Sequence, residues 1–402
     1  MKRTIILHLF VTIVLAVSLV FTGMYFADAI AEKNAAMAAM ATEATEESTE
    51  ATEPEKKPES ISMAIYPYVS NMEHFQKILT KMWAEVEPEI ELQYVDWNCY
   101  LDPYPNNIEV ITYDALFLEH LVETGYIQAL DAESVGNTAG IIPFAMEGAH
   151  YKGDLYGLPF LVCSSFLIHD KDDEAMTAVK NFTELCAELT KRKALDPNDG
   201  LQTTYNDMLP FYFLDAYIDY TGTYTTYEEG PLMYPPEQTV LKRMKEIQAL
   251  LAPIPENESS NSAFTSGIGS ACYAFSEAMY DMGDKVENLT IRPLSFFENE
   301  NIQMFYADIA SICTQVTDPV KKEYCMKLIN LIASKEFQAE LCFGTGDVQY
   351  MLPAREQVYL DAMEKYPIYT VLHELATDKN NKVFRFGTQI YDFKNIAGVV
   401  LY

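Results

Sequence analysis

The sequence predicts an α/β fold of two lobes with a hinged ligand cleft between them. The chain has 402 residues and is 49% hydrophobic, which is enough for two lobes of about 150 residues with a sizeable core. From residue 61 onward, strand-like and helix-like runs alternate, as they do in sheets covered by helices. The chain then builds a second lobe and comes back to the first. Several crossings of this kind make a cleft that opens and closes.

The first 60 residues precede the folded part. Residues 1–31 are typical of an export signal, because Lys2 and Arg3 precede a mostly apolar run at 4–26 and small-x-small cleavage sites follow at 27–31. The run is long for a signal peptide, so an uncleaved signal anchor is the alternative. Residues 32–60 are rich in Ala, Glu and Thr and predict a disordered acidic linker. We therefore expect a secreted or extracellular protein, with a membrane anchor through residues 4–26 as the other possibility.

The first lobe begins with three predicted strands at 61–66, 90–95 and 108–113. A helix is predicted at 71–86, with Asn71 as its N-cap and Phe75, Ile78 and Leu79 on its apolar face. Because ligands bind outside the carboxyl ends of parallel strands, residues just after these strands are candidates for the cleft. These candidates are Tyr66, Tyr68, Asp96, Tyr100 and Asp114.

The segment 151–173 predicts the crossing from the first lobe to the second. A turn at 152–154 precedes an apolar run at 158–168, which Cys163, Ser164 and Ser165 interrupt. This pattern favours a buried strand that reaches the surface briefly at the cleft. Cys163 is the strongest nucleophile of the segment, although a single Cys in an apolar run is more often a small buried side chain.

The second lobe and the return follow from similar patterns. Helices are predicted at 181–191, 238–251, 319–332 and 336–341, and strands at 271–275 and 304–309. Ser276 is predicted to cap a helix that Glu277 enters, 289–294 to return toward the first lobe, and 352–355 to begin a closing helical segment. The predicted division is 61–160 and 291–350 for lobe 1, and 161–290 and 351–402 for lobe 2.

Charge and cysteine usage narrow the class of protein. The formal net charge is −31, which argues against nucleic-acid binding because phosphates need Lys and Arg partners. It also attracts cationic ligands, although acidic secreted proteins without such ligands are common. The seven cysteines include no CxxC pair and no zinc-like spacing. We expect no metal site and few or no disulfides.

Nine motifs in order resemble one known family, the bacterial thiaminase I (thiamine pyridinylase) family. They span most of the chain after residue 64: IYPYV (65–69), DWNCY (96–100), DALFL (114–118), GDLYGLPFLVCSS (153–165), SEAMYDMGD (276–284), FYADI (305–309), LPAREQVY (352–359), YPIY (366–369) and VFRFG (383–387). The resemblance implies a type II periplasmic-binding-protein fold.

The resemblance also implies site residues. Cys163 matches the family's nucleophile and Glu277 its catalytic base. The residues that match substrate-binding positions are Tyr66, Tyr68, Tyr100, Asp114, Tyr306 and Asp308. Phe275 departs from the family pattern, which has a Tyr just before the Ser-Glu pair, so one hydroxyl is lost. Taken singly, these acids are more often helix caps and these tyrosines more often core residues.

The implied reaction is base exchange on thiamine, without a cofactor or a metal. The Cys163 thiolate adds to the pyrimidine, the thiazole leaves, and an organic base or thiol replaces it. The expected partners are these small molecules, with no nucleic acid, and we expect a monomer. The alternative is a non-catalytic extracellular binding protein for thiamine or a pyrimidine that serves a transporter, for which neither Cys163 nor Glu277 is needed.

Overall fold

Two β-sheets organise the chain. The computed structural model describes residues 56–66, 72–100, 102–136, 138–203, 209–222, 237–256, 258–297, 302–346, 348–385 and 387. The strands are β1 (Ser60–Ile65), β2 (Glu91–Asp96), β3 (Val110–Asp114), β4 (His150–Tyr151), β5 (Asp154–Leu155), β6 (Gly157–Cys163), β7 (Ser165–Asp170), β8 (Leu201–Thr203), β9 (Ala271–Phe275), β10 (Leu289–Arg292), β11 (Met304–Ile312), β12 (Leu352–Pro353) and β13 (Lys382–Val383).

The helices pack on these sheets. They are α1 (Met72–Val86), α2 (Leu118–Glu123), α3 (Pro143–Gly148), α4 (Glu174–Thr177), α5 (Phe182–Lys193), α6 (Leu209–Thr221), α7 (Gln238–Ala249), α8 (Ser260–Thr265), α9 (Met279–Met282), α10 (Pro319–Ile332), α11 (Lys335–Phe343), α12 (Glu356–Ala362) and α13 (Ile368–Ala376). Short 3-10 turns at Ala115–Phe117 and Ser276–Ala278 precede α2 and α9.

The larger sheet has the order β12-β6-β11-β3-β1-β2, with β13 paired to β11. Strands β1, β2 and β3 are mutually parallel as predicted, whereas β11 runs antiparallel to β3 and β6. Every residue of β11 is buried, as expected of a central strand that is covered on both faces. The smaller sheet has the order β10-β7-β9-β8.

The predicted helices form where apolar residues recur at helical spacing. In α1, the residues Phe75, Ile78, Leu79 and Trp83 make the buried stripe. The α5 helix begins after Asn181, whose side chain accepts a hydrogen bond from the Glu184 amide at 2.9 Å, as an N-cap residue does. The predicted N-cap of α1, Asn71, lies outside the described residues.

Two sequence predictions are wrong at element ends. Ser276 is not an N-cap, because Phe275 holds that position without a side-chain bond and Ser276 is already the first residue of the turn. The 289–294 segment does not return to the first lobe directly, because β10 pairs with β7 in the smaller sheet.

The sheets also divide the chain differently from the predicted lobes near the C-terminus. The predicted lobe 2 segment 351–402 supplies β12 and β13, and both strands pair within the larger sheet. The sequence predicts that a helical segment begins at 352–355. In the structure Leu352–Pro353 forms strand β12, and helix α12 begins only at Glu356. The lobe boundaries themselves stay a prediction, as do the export signal and most of the linker, since residues 1–55 lie outside the described residues.

Candidate active site at the crossing of the two sheets

The chain passes from the larger sheet to the smaller one at Cys163. Cys163 is the last residue of β6, Ser164 lies between the sheets, and Ser165 begins β7. Cys163 is half-buried, whereas the Ser164 side chain is fully buried. Successive side chains in extended chain point to opposite faces, so the thiol faces the site and the hydroxyl faces away from it.

Strand register gathers the predicted site residues around Cys163. Tyr306 on β11 is the pairing partner of Cys163, and Asp308 on the same strand pairs with Asp114 at the end of β3. On the other side, Ser165 pairs with Phe275, so the turn that carries Glu277 begins beside the crossing. The thiol thus comes from the end of β6 in the larger sheet, and the carboxyl comes from the turn after β9 in the smaller sheet.

The two aspartates each bind a tyrosine. The Tyr66 hydroxyl donates to Asp308, and the Tyr100 hydroxyl donates to Asp114 Oδ2 at 2.6 Å. Asp114 Oδ1 also accepts from the Leu116 amide at 3.0 Å, because Asp114 caps the turn that follows β3. Both carboxyls are almost fully buried. These hydrogen bonds fix both acids in place before any ligand arrives.

Burial dominates the electrostatics of these acids. It raises the pKa of Asp114 to about 7, even though the bonds from Tyr100 and Leu116 oppose the shift. Burial and the nearby Asp114 charge raise the pKa of Asp308 well above its usual range. Ionisation of both of two buried carboxyls that face one another is unfavourable in free energy. The pair is therefore suited to a ligand edge that offers hydrogen-bond donors or a positive charge.

Cys163 and Glu277 also have shifted pKa values. Burial raises the pKa of the Cys163 thiol well above its usual range, and the charges of Glu277, Asp308 and Asp114 add to this effect. Burial raises the pKa of Glu277 to about 7. The Glu277 carboxyl accepts one bond from the Ser276 hydroxyl at 3.3 Å. A thiol held in its neutral form beside such a carboxyl needs a base to become a nucleophile.

Aromatic rings complete the wall around Tyr306. The Phe384 ring stacks on Tyr306 at a centroid distance of 4.6 Å, and Phe275 meets it edge-on at 5.9 Å. Phe275 stands where a Tyr was expected, and its ring lies against Tyr306. The other predicted residues divide: Tyr68 lies outside the described residues, and Asp96 is exposed at the end of β2.

A hydrogen-bonded cluster behind the crossing was not predicted. Ser164 Oγ donates to the Met304 carbonyl at 2.5 Å and accepts from Gln303 Nε2 at 2.5 Å. Gln303 Nε2 also donates to the Ser165 carbonyl at 3.1 Å. This cluster ties the Cys163 crossing to the start of β11. The only sequence signal for it was the pair of serines after Cys163.

The remaining cysteines are structural in character. All seven cysteines are free thiols, and five of them are buried. Among the described residues, no group of three or more His, Cys, Asp or Glu side chains is placed to hold a metal ion. None of the described helices has both the length and the apolar character needed to span a bilayer.

Comparison with known proteins places this chain in a family. Residues 68–371 match the family model of bacterial extracellular solute-binding proteins. The chain is 31% identical over 363 residues to Thiaminase-1 of Paenibacillus thiaminolyticus, covering 85% of this chain and 87% of that protein.

Two solved structures agree with this match. Thiaminase I from Bacillus thiaminolyticus superposes with a TM-score of 0.76 at 30% identity, covering 85% of this chain and 100% of that one. Clostridium botulinum thiaminase I, solved in complex with thiamin, superposes with a TM-score of 0.78 at 30% identity, covering 85% and 99%.

Proposed function

Since this chain belongs to the thiaminase I family, thiamine-degrading transferases on the extracellular solute-binding fold, we propose that it cleaves thiamine by base exchange through a covalent adduct on Cys163. The observation that carries the proposal is that the half-buried Cys163 thiol lies near the Glu277 carboxyl, whose charge acts on the thiol and whose pKa is about 7, at the point where Ser165 pairs with Phe275. A carboxyl that is half ionised near neutral pH is matched to the removal of a thiol proton.

The first half of the reaction forms the adduct. Glu277 takes the thiol proton, and the Cys163 sulfur forms a bond to a carbon of the pyrimidine ring. Electrons move through the ring to the methylene, the bond between the methylene and the thiazolium nitrogen breaks, and the thiazole leaves neutral with that electron pair. The charges balance, because a cation and a thiolate give two neutral products.

The second half releases Cys163. A neutral acceptor, such as a pyridine, an aniline or a thiol, attacks the methylene of the adduct. The electrons return through the ring and the carbon–sulfur bond breaks, so that the thiolate is regenerated. Glu277 returns to the thiolate the proton that it took in the first half, so both groups are restored. A pyridine product keeps the positive charge, whereas an aniline or a thiol product loses its extra proton to the freed Glu277 carboxylate or to water.

The pyrimidine is recognised by the face that Asp114 and Asp308 present. Their buried carboxyls, held by Tyr100 and Tyr66, bind the amino group and a protonated ring nitrogen. Tyr306 lies beside Cys163 by register and stacks on a ring or attracts the cation through its π face. Tyr68 is proposed for the same wall from its place in the sequence.

The family description also supports an extracellular location. Secretion through residues 1–31 is part of this proposal. The net charge of −31 raises the local concentration of a cationic substrate such as thiamine.

The test is a base-exchange assay with the purified protein. Thiamine and a pyridine or aniline acceptor are incubated with it, and free thiazole is followed by mass spectrometry. We expect thiazole release by the wild-type protein and a loss of at least about 10³-fold in Cys163→Ser, with a Cys163-bound pyrimidine mass in single-turnover samples.

Two results contradict the proposal. If Cys163→Ser retains exchange, then the nucleophile is wrong. If thiamine binds tightly but stays intact with every acceptor tried, then the chain is a binding protein of the alternative kind.

A further inference from the structure

A further buried acid, Asp215, lies close to the proposed active site and has no role in the reaction proposed above. Asp215 lies on α6, and its side chain is 9% exposed. It accepts no hydrogen bond from any residue that the structure describes, and burial together with the charge of Asp219 raises its pKa well above the usual range. A buried carboxyl without donors costs free energy. The space that the Asp215 carboxyl faces therefore determines how its charge is compensated.

Asp215 faces a small space that we call the acidic chamber. It has a volume of about 30 Å³ and is lined by Asp215, Asp219, Tyr273, Ser295, Gln303 and Met304, among others. A space of this size holds a single water-sized group. Asp219 differs from Asp215, because its Oδ2 accepts from Ser295 Oγ at 2.9 Å and from the Phe297 amide at 2.5 Å.

The acidic chamber is adjacent to the proposed active site. The Tyr212 hydroxyl donates to the Tyr273 carbonyl at 3.0 Å, so α6, which carries Tyr212 and Asp215, contacts β9, the strand that leads into the Glu277 turn. Gln303, which lines the chamber, donates to Ser164 and Ser165 directly after Cys163. Asp215 is also the charge that acts most strongly on the Tyr306 phenol, ahead of Asp114 and Cys163.

The order of residues along β11 indicates which part of the substrate lies nearest to the acidic chamber. Alternate residues of a strand share a face, so Asp308, Tyr306 and Met304 form one row, at steps of about 7 Å. Asp308 is the proposed pyrimidine anchor, and Tyr306 is level with Cys163. Met304 comes next and lines the acidic chamber. Thiamine has the same order: pyrimidine, reactive methylene, thiazolium.

We propose that Asp215 is the counter-charge for the cationic ring of the substrate, so that the thiazolium lies at the mouth of the acidic chamber with the Asp215 carboxyl beneath it. The positive charge of the ring favours the ionised form of this carboxyl. The inference rests on the proposed function, because the pyrimidine and the methylene set the direction of the ligand. The chamber is too small for a five-membered ring, so the ring stays outside it and the charges meet across its mouth.

The experiment compares two inhibitors that differ in one N-methyl group and in the positive charge that it creates. An N-methylated thiazolium and the neutral thiazole with the same ring substituents are titrated calorimetrically at about pH 8 into Cys163→Ser protein. Asp215→Asn is then added to that background. We expect the cation to bind at least about tenfold more weakly while the affinity for the neutral ring changes less than about twofold.

The control is Asp284→Asn, which removes one charge from an exposed position between β9 and β10 of the smaller sheet. It leaves both affinities unchanged, because solvent screens an exposed charge. If Asp215→Asn weakens both ligands equally, or neither, then the inference is wrong. Because binding is measured in Cys163→Ser protein, a failure of the base-exchange assay leaves this result readable on its own.

Discussion

The two sheets contribute to the site in different ways. The larger sheet supplies Cys163, Tyr306, Asp308 and Asp114 from paired strands, and the acids are held by tyrosine hydroxyls. The smaller sheet supplies Glu277 from a short turn, with one bond to the neighbouring Ser276. The proposed binding face is thus organised in advance, while the proposed base comes from a separate element. This division suggests that affinity and chemistry respond to different substitutions.

The largest expected effect is on the side of the smaller sheet. Glu277→Gln keeps the shape of the side chain but removes the proton acceptor, so we expect kcat to fall by about 10²–10⁴-fold. The dissociation constant for thiamine, measured by calorimetry in a Cys163→Ser background, changes less than about threefold. A large loss of affinity in Glu277→Gln would mean that the two sides of the site are not separable.

On the larger sheet, Asp308→Asn is expected to act in the opposite way. It removes one charge-assisted partner from the pyrimidine, so the affinity for thiamine falls about 10–100-fold. The rate of thiazole release in a single turnover at saturating thiamine falls much less. Asp96→Asn, at the exposed end of β2, is the matched control and leaves affinity unchanged. If Asp308→Asn lowers only the single-turnover rate, then its proposed binding role is wrong.

The pH dependence of kcat/KM distinguishes Glu277 of the smaller sheet from the acids of the larger sheet. Glu277 acts as a base only when it is ionised, and burial raises its pKa to about 7. Below this pH the protonated fraction grows, so kcat/KM falls about tenfold per pH unit. Rate profiles of wild type and Glu277→Gln check this, and the variant lacks the fall. If Glu277→Gln shows the same fall in kcat/KM at the same pH as the wild type, then the fall comes from Asp114, whose pKa is also raised to about 7.

The smallest expected effect concerns the link between the sheets. Ser164→Ala removes the hydroxyl that joins Gln303 to the Met304 carbonyl, so the thiol is less firmly placed and kcat falls about three- to tenfold at constant KM. Ser311→Ala is the control. Ser311 is as buried as Ser164, lies on β11 away from the Gln303 cluster, and its hydroxyl forms a hydrogen bond with the Tyr113 hydroxyl at 2.9 Å. The two variants lose similar thermal stability. Equal kcat values in both would show that the Ser164 cluster serves stability alone.

The sequence predicted the local parts of this arrangement well. The strands before Tyr66 and Asp114 and the helices α1, α5 and α10 follow from apolar spacing, which neighbouring residues determine. Their ends were less predictable: Ser276 has the composition of a cap, yet the chain leaves β9 directly into a 3-10 turn.

The long-range parts were not predictable from one sequence. The pairing of β10 with β7, and of β12 and β13 with the larger sheet, depends on partners far away in the chain. Gln303 and Asp215 gave no signal, because a single Gln before a strand and an Asp within an apolar run are common. Their importance comes only from what the fold brings beside them.

The position of β13 has a practical consequence for anyone who builds variants of this protein. Phe384 follows β13 directly, stacks on Tyr306, and is anchored by its amide to the Phe305 carbonyl at 2.7 Å. Arg385 then bonds Glu119 on α2 at 2.8 Å. A deletion that ends the chain before residue 382 therefore removes a wall of the proposed active site as well as a strand, so truncation libraries and split-protein designs should keep this segment in the same fragment as β11.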